Sequence, residues 1–256
     1  MRISFSYSLL ITWLLALAAC QSHYIQTNNE SGNLLISDSI AELDSQIVKI
    51  YLPYKQEIDT EMSRIIAISA EEMVKDKPES GLTNFLADLL LEEGKLELTR
   101  HDKNFIPHLS FFNYGGIRTF LPKGEITVRK IFELMPFENE MVFLKLTGEQ
   151  VNEFLNIVAE KGGDSVGGVR FVISEDKATG IMVGGEPLAA DQEYWLVTND
   201  YVAAGGDGIE VFTQRKDFFQ SGVKIRDAII SYMERKHLNG DTISSGTDGR
   251  IIRDNK

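Results

Sequence analysis

The stretch Asn199-Asp200-Tyr201-Val202-Ala203-Ala204-Gly205-Gly206-Asp207-Gly208 restricts the fold of this chain more than any other. It follows an apolar run, Tyr194 to Val197, that reads as a strand. The chain must therefore leave a strand, present an aromatic ring and turn sharply within a few residues. Gly205, Gly206 and Gly208 permit positive φ and a close approach of backbone to whatever lies beside them. Tyr201 offers a flat π-face and Asp207 a charged acceptor. Such a set suits a flat ligand with a polar edge, a nucleobase for example. Taken alone, the same residues also read as ordinary turn chemistry.

A second segment follows similar logic. Leu109 to Phe112 is apolar and leads into Asn113-Tyr114-Gly115-Gly116-Ile117-Arg118, with Leu134-Met135-Pro136-Phe137 downstream. Gly115 and Gly116 admit close backbone approach, and Arg118 supplies a planar fork of donors for an anion or polar group. Alone, this too is a turn with a surface Arg. Together and in this order, the two segments resemble the C-terminal domain of the 5′-nucleotidase family. The resemblance runs from about Ile47 to Tyr232. It rests on Asn-x-Gly-Gly-Ile-Arg at 113–118, Leu-Met-Pro-Phe at 134–137 and Asn-Asp-Tyr-x-Ala-x-Gly-Gly-Asp-Gly at 199–208.

The resemblance implies a nucleobase sandwiched by Phe137 and Tyr201, the family usually having Phe at the second position. It implies base and ribose contacts from Asn113 and Asp207, and a phosphate-side Arg at Arg118. A further Arg of the family, expected shortly before the helix containing Asn84, has no clear counterpart. Lys75 or Lys77 is the candidate to stand in. The implied fold is mixed α/β (α+β): one domain of mixed sheets with helices packed against them.

Composition sets outer limits. The chain has 256 residues, 43% hydrophobic and 25% charged, which suits a globular domain with a real core. A formal net charge of −12 argues against nucleic-acid polymers as partners. It does not oppose one small anion at a local Arg, because distant charge is screened within about 10 Å.

Arg2 and the apolar run Leu9 to Ala18 read as a secretory signal, too short for a spanning helix of about 20 apolar residues. Leu17-Ala18-Ala19-Cys20 resembles a bacterial lipobox, and Cys20 is the chain's only cysteine. The expected organisation is a lipoprotein signal over 1–19, a polar tether over 20–44, the domain over 45–238 and a loose tail over 239–256. Lipidation at Cys20 places the domain on a membrane of the bacterial cell envelope, in the periplasm or at the cell surface.

Within the domain, Leu82, Phe85, Leu86, Leu89 and Leu90 follow a helical period that Gly94 ends. Asn84 and Asp88 lie one turn apart on that helix and read as a polar pair facing a partner. Thr127 caps a helix through Met135, which Pro136 stops, leaving Phe137 just beyond a helix end. Met141 to Leu146 is a strand. Thr147 and Gln150 then form a capping box for a helix with Val151, Phe154, Leu155 and Val158 on its apolar face, ended by Gly162-Gly163. Val169 to Ile173 is a strand, and Gly167-Gly168 before it allow either close ligand approach or simply a strand start. Ile181 to Val183 and Tyr194 to Val197 suggest a hairpin-like pair about Gly184-Gly185. Val223 to Tyr232 is a closing helix.

Catalysis in the resembled family belongs to a separate metallophosphatase domain that holds two metals through Asp-x-His and Gly-Asn-His-Asp motifs, as two-metal phosphate hydrolysis requires. Neither motif occurs in this sequence, nor does a Walker loop. His23, His101, His108 and His237 are scattered. The expectation is a chain without catalytic residues, metal ligands or cofactor of its own. It would recognise a nucleotide or nucleoside for a separately encoded metallophosphatase in nucleotide catabolism, with divalent metals only in that partner. The alternative is a non-catalytic nucleotide-binding or interaction lipoprotein.

Overall fold

The structure is a computed structural model that describes Gly32 and residues 44–254. Cys20, the signal segment and all of the tether except Gly32 and Asp44 lie outside the described residues. Among the described residues, no helix is long and apolar enough to cross a membrane. The chain divides into two units, Met1–Tyr51 and Leu52–Lys256. Helix α1 (Ser45–Met62) runs from the first into the second and buries none of its residues.

Everything that positions the cavity described below belongs to the second unit. Strand β1 (Ile65–Ser69) is followed by α2 (Gly81–Arg100), β2 (Leu109–Phe112), β3 (Gly124–Thr127), α3 (Val128–Leu134) and β4 (Glu140–Thr147). Next come α4 (Gly148–Glu160), β5 (Ser165–Gly167), β6 (Val169–Ser174), β7 (Lys177–Val183), β8 (Glu186–Pro187) and β9 (Glu193–Asn199). The short α5 (Asp200–Ala203), β10 (Asp217–Lys224), α6 (Ile225–Leu238), β11 (Thr242–Ile243) and β12 (Ile251–Arg253) complete it. Three sheets result, ordered β11-β1-β3, β10-β4-β9-β2-β5 and β12-β6-β7-β8. The mixed α/β architecture is the expected one.

Apart from its edge strand β10, the five-stranded sheet is buried on both faces, and the alternation of side chains shows why. Met141 and Phe143 of β4, with Trp195 and Val197 of β9, pack into a core shared with α2 and α6. Val142, Leu144 and Leu146, with Tyr194 and Leu196, point the other way into a core shared with α4 and the four-stranded sheet. Strands covered on both faces read as near-continuous apolar runs, as these do. Two of the helices begin on caps that the sequence announces. Thr127 caps α3, and Thr147 and Gln150 close a reciprocal capping box on α4.

Three expectations need correction, and one open alternative is narrowed. Gly94 does not end its helix; α2 continues to Arg100. An added Cβ there would lie 3.1 Å from Val197 and 3.3 Å from Phe143, so the glycine lets the helix press on the sheet. That packing offsets the cost of about 1 kcal/mol that Gly carries against Ala inside a helix. Of the two uses left open for Gly167 and Gly168, close packing of the strands is the one the geometry supports. A Cβ would meet Ser110 Oγ at 2.4 Å and the His108 carbonyl at 2.3 Å respectively. Across Gly184-Gly185, β7 pairs with β8; Tyr194 to Val197 belongs to the other sheet, between β4 and β2.

The segment after Asn239 is not a loose tail. Strand β11 adds in parallel to β1, and β12 adds in parallel to β6. Between them, buried Arg250 donates to both Asp88 carboxylate oxygens at 2.8 Å and to Asp248 Oδ1 at 3.0 Å. Asn84 Nδ2 donates to the Gly246 carbonyl at 3.1 Å and to Glu79 Oε2 at 2.7 Å. Asn84 and Asp88 thus hold the C-terminal segment of their own chain. Polar composition and three glycines hid this, because the pairing partners are distant in sequence.

Candidate functional site

Strand direction decides where the two glycine-rich segments meet. β2 and β9 run parallel and adjacent, with Leu109 opposite Leu196 and Ser110 opposite Val197. The loops leaving them, Asn113–Arg118 and Asn199–Gly208, therefore emerge at the same end of the sheet. β4 is antiparallel to β9, with Met141 opposite Asn199, so its entry segment Phe137–Asn139 arrives at that end too. β5 pairs antiparallel with β2, with Phe112 opposite Ser165, bringing Asp164 there. β10 ends there as well, Lys224 opposite Glu140, and delivers Arg226 on the first turn of α6. The ligand position outside the carboxyl ends of adjacent parallel strands is a general feature of α/β sheets.

These segments line a cavity of about 340 Å³. Its walls are Asn113, Gly115, Gly116, Arg118, Phe137, Asn139, Tyr201 and Asp207. All seven side chains or glycines expected from the sequence are brought together. Asn139 is the one wall residue that sequence reasoning missed; its only signal was its place two residues beyond Phe137. Phe137 and Tyr201 remain 38% and 48% exposed, so neither ring is spent on the core.

A chain of hydrogen bonds fixes the polar wall. Asn199 caps α5, its Oδ1 accepting the Val202 N–H at 2.9 Å. Its Nδ2 must then point the other way, and it donates to Asn113 Oδ1 at 2.9 Å. Asn113 Nδ2 in turn donates to Asp207 Oδ2 at 2.7 Å. Both asparagines are buried, and a flipped amide would leave a buried group unpaired. Asn199 is a residue that the sequence marked only as the start of its motif.

The cationic side is also ordered. Arg118 donates to the Gly115 carbonyl at 3.2 Å and sits 5.8 Å from the Phe137 ring centroid. Lys75 Nζ donates to the Tyr114 and Ile117 carbonyls at 3.1 and 2.6 Å and lies 4.2 Å from the Tyr114 ring centroid. Burial, then the neighbouring Arg118 charge, lowers the Lys75 pKa. Lys77 Nζ donates to the Lys161 carbonyl, 5.0 Å from the same ring. Neither lysine is a wall residue of the cavity; both flank Tyr114 behind it.

Two buried ions support the walls from behind, and no sequence motif marks either. Arg226 donates to the Phe137 carbonyl at 3.3 Å, pairs with Glu138 and stacks 4.1 Å from the Phe132 ring centroid. Hydrogen bonds from Lys224 and Arg226 hold the Glu138 carboxyl down at about 2, so this clasp on the Phe137 segment is ionic at any neutral pH. Asp164 Oδ1 accepts the N–H groups of Tyr114 at 2.7 Å and Ser165 at 2.8 Å, anchoring the turn that carries Gly115 and Gly116.

Other candidate chemistry does not assemble. His101 pairs with Glu97 and packs edge-on to Phe219, while His108 Nδ1 accepts the Trp195 N–H at 3.0 Å. Among the described residues, no group of three His, Cys, Asp or Glu could hold a metal. Gly163-Asp164-Ser165-Val166-Gly167 has the spacing of a hydrolase nucleophile elbow. Ser165, however, opens a strand, is fully buried and donates to the Thr83 carbonyl at 2.5 Å.

Comparison with known proteins follows the same lines. A family model described as "5'-nucleotidase, C-terminal domain" matches residues 59–214. A 5'-nucleotidase of Vibrio vulnificus is 24% identical over 233 residues, covering 89% of this chain and 41% of that protein. A trifunctional nucleotide phosphoesterase of Bacillus subtilis is 28% identical over 249 residues, covering 89% of this chain and 16% of its own length. The chain thus spans about two fifths of the Vibrio relative and less of the Bacillus one. The crystal structure of a 5'-nucleotidase precursor from Thermus thermophilus superposes with a TM-score of 0.66 at 24% identity, over 81% of this chain and 43% of that one. It shares the fold.

The buried Asp164 yields a pH prediction. Burial lifts its pKa from 3.8 to about 6, against the pull of its two backbone N–H donors and of Lys77 and Lys161. Between those two values the native state holds a proton that the unfolded chain has released, so this group favours folding as pH falls through that window. The stability of the wild type relative to Asp164→Asn should therefore rise between about pH 7 and about pH 5. Thermal melts of both proteins at the two pH values measure it, and a constant gap would refute the assignment.

Proposed function

The chain belongs to the 5′-nucleotidase C-terminal domain family, and on that premise we propose that its cavity recognises a nucleotide or nucleoside for phosphate hydrolysis. One observation carries this reading. Two exposed rings from distant segments, Phe137 and Tyr201, line one cavity with an oriented carboxylate and an Arg. Phe137 and Tyr201 would stack on the two faces of the base. Asn113 and Asp207 would bond its edge and the ribose. Arg118 would meet the phosphate side, where its planar fork matches phosphate oxygens.

The residues that would cut are assigned elsewhere. A metallophosphatase unit would supply two divalent metals and the attacking water; the reading favoured here is that it is a separate chain. The lack of Asp-x-His and Gly-Asn-His-Asp in these residues supports that division of labour. Cys20 would tether the domain to a bacterial envelope membrane through its lipids, with two or more acyl chains giving stable anchoring. Substrate would then be captured close to that surface.

Calorimetric titration with AMP and adenosine tests the recognition. Phe137→Ala and Tyr201→Ala should each weaken binding by about 1–3 kcal/mol, the worth of one stacked base on an aromatic platform. Arg118→Ala should weaken the nucleotide more than the nucleoside. Affinities untouched by both ring truncations would return the two aromatics to a structural role.

The division of labour has its own check. The purified chain, given AMP, ATP or UDP-glucose with divalent metals, should release no phosphate. Turnover that persists through purification and is lost on mutating this chain would sink the two-unit reading. For the anchor, labelled fatty acid should enter the wild type in bacteria and be absent from Cys20→Ala; label in the mutant would place the lipid elsewhere, and an unlabelled wild type would remove the anchor.

A further inference from the structure

Stacking uses only the ring of Tyr201, yet its hydroxyl is fully engaged. It donates to Asp207 Oδ1 at 3.0 Å and accepts the Asp207 N–H at 3.3 Å. Phe, the residue the resemblance leads one to expect here, would make neither bond. The ring lies against the backbone of Gly206, where an added Cβ would fall 2.6 Å from Tyr201 Cε1. Asp207 itself adopts a left-handed conformation, φ 54°, unusual for a residue with a side chain. Lys161 Nζ holds its carbonyl. Ring, hydroxyl and carboxylate therefore form one clamped unit on the cavity wall.

The consequence lies in how the carboxylate is oriented. Oδ1 takes a donor from Tyr201 and Oδ2 takes one from Asn113, at 3.0 and 2.7 Å. With one donor held on each oxygen, rotation about the Cβ–Cγ bond breaks both bonds. A carboxylate has about four acceptor sites in all. Each oxygen keeps capacity for a further donor, and the two lie side by side. That arrangement complements two adjacent hydroxyls, a vicinal diol, better than a single one. Remove the phenolic hydroxyl and Oδ1 is free to turn toward whatever single donor is offered.

We propose that the Tyr201 hydroxyl is a specificity-determining group, which by positioning Asp207 makes the site prefer ligands with a vicinal diol, ribose over 2′-deoxyribose. This rests on the nucleotide-recognition reading above and names the sugar that the same site selects. Tyr201 is a positioning residue in this role, and a platform residue in the other.

The test uses the purified full chain. AMP, GMP, CMP and UMP are titrated first, and the tightest binder is carried forward with its 2′-deoxy counterpart. Wild type should favour the ribonucleotide by about tenfold, since hydrogen bonds to a charged group are the stronger kind. Tyr201→Phe should lose affinity for the ribo form far more than for the deoxy form, so that the preference falls by about fivefold. Asp207→Asn should abolish the preference, and adding Tyr201→Phe to it should change the ratio no further. Thermal melts run alongside show that each variant is folded. An unchanged ratio in folded Tyr201→Phe overturns the inference, as does an equal loss for both sugars, which is what a merely structural hydroxyl would produce. If none of the four nucleotides binds wild type, the nucleotide reading falls, and this inference with it; binding with an unaltered ratio removes this inference alone.

Discussion

The parallel pairing of β2 with β9 is the constraint on which the site depends. Parallel neighbours cannot be joined by a tight turn, so the chain spends everything from Asn113 to Gln192 on the crossover between them. That long excursion is where β3, α3, β4, α4 and the four-stranded sheet's first strands are made. What it gains is coincidence: two loops far apart in sequence leave the sheet at one end. β4, β5 and β10 then add antiparallel and bring their own ends to the same place. A one-residue slip between β2 and β9 would exchange the faces of Phe111 and Phe112, which now feed opposite cores. Core packing thus fixes the register, and the register fixes the site.

On top of that frame the polar wall is set by satisfaction rather than by attraction. Val202 needs an acceptor for its N–H at the start of α5, and Asn199 supplies it. From that one bond, each successive amide has a single orientation that leaves no buried group unpaired, out to Asp207. Each net hydrogen bond is worth only about 1 kcal/mol, but a reversed amide would forfeit two and bury unpaired groups as well. A helix cap therefore settles which atoms a carboxylate presents on the cavity wall. The same economy of parts appears behind Phe137, where a buried Arg226 holds both the carbonyl and the neighbouring Glu138.

Local chemistry was legible in the sequence, and tertiary partnership was not. The caps at Thr127 and Thr147, the strand from Met141 and the turn at Gly162-Gly163 all follow from side chains acting within a few residues. The three landmarks of the resemblance carried every expected wall residue to one cavity. The glycines misled wherever their reason lies across the fold. Gly94 sits inside a helix where Val197 and Phe143 leave little room for a methyl group, and nothing near it in sequence says so. Arg250, in a polar tail, is buried because Asp88 waits on α2. Arg226 and Asp164 were invisible for the same reason: their work is on backbone groups of segments that only the sheet brings near.

The electrostatics of the cavity run against the chain as a whole. A net charge of −12 opposes an anion at long range, yet Arg118, Lys75 and Lys77 gather around one turn. Screening over about 10 Å lets the local cluster prevail at contact distance. Lys75 spends its hydrogen bonds on the Tyr114 and Ile117 carbonyls, so it props the turn that projects Arg118. Burial and the Arg118 charge both work against its ionised form. An anion seated at Arg118 would offset that repulsion and strengthen the prop behind it. On the proposed reading, the phosphate side would then be more than an isolated Arg: ligand charge and turn rigidity would support each other, and the Gly115-Gly116 backbone would be held most firmly when the cavity is filled.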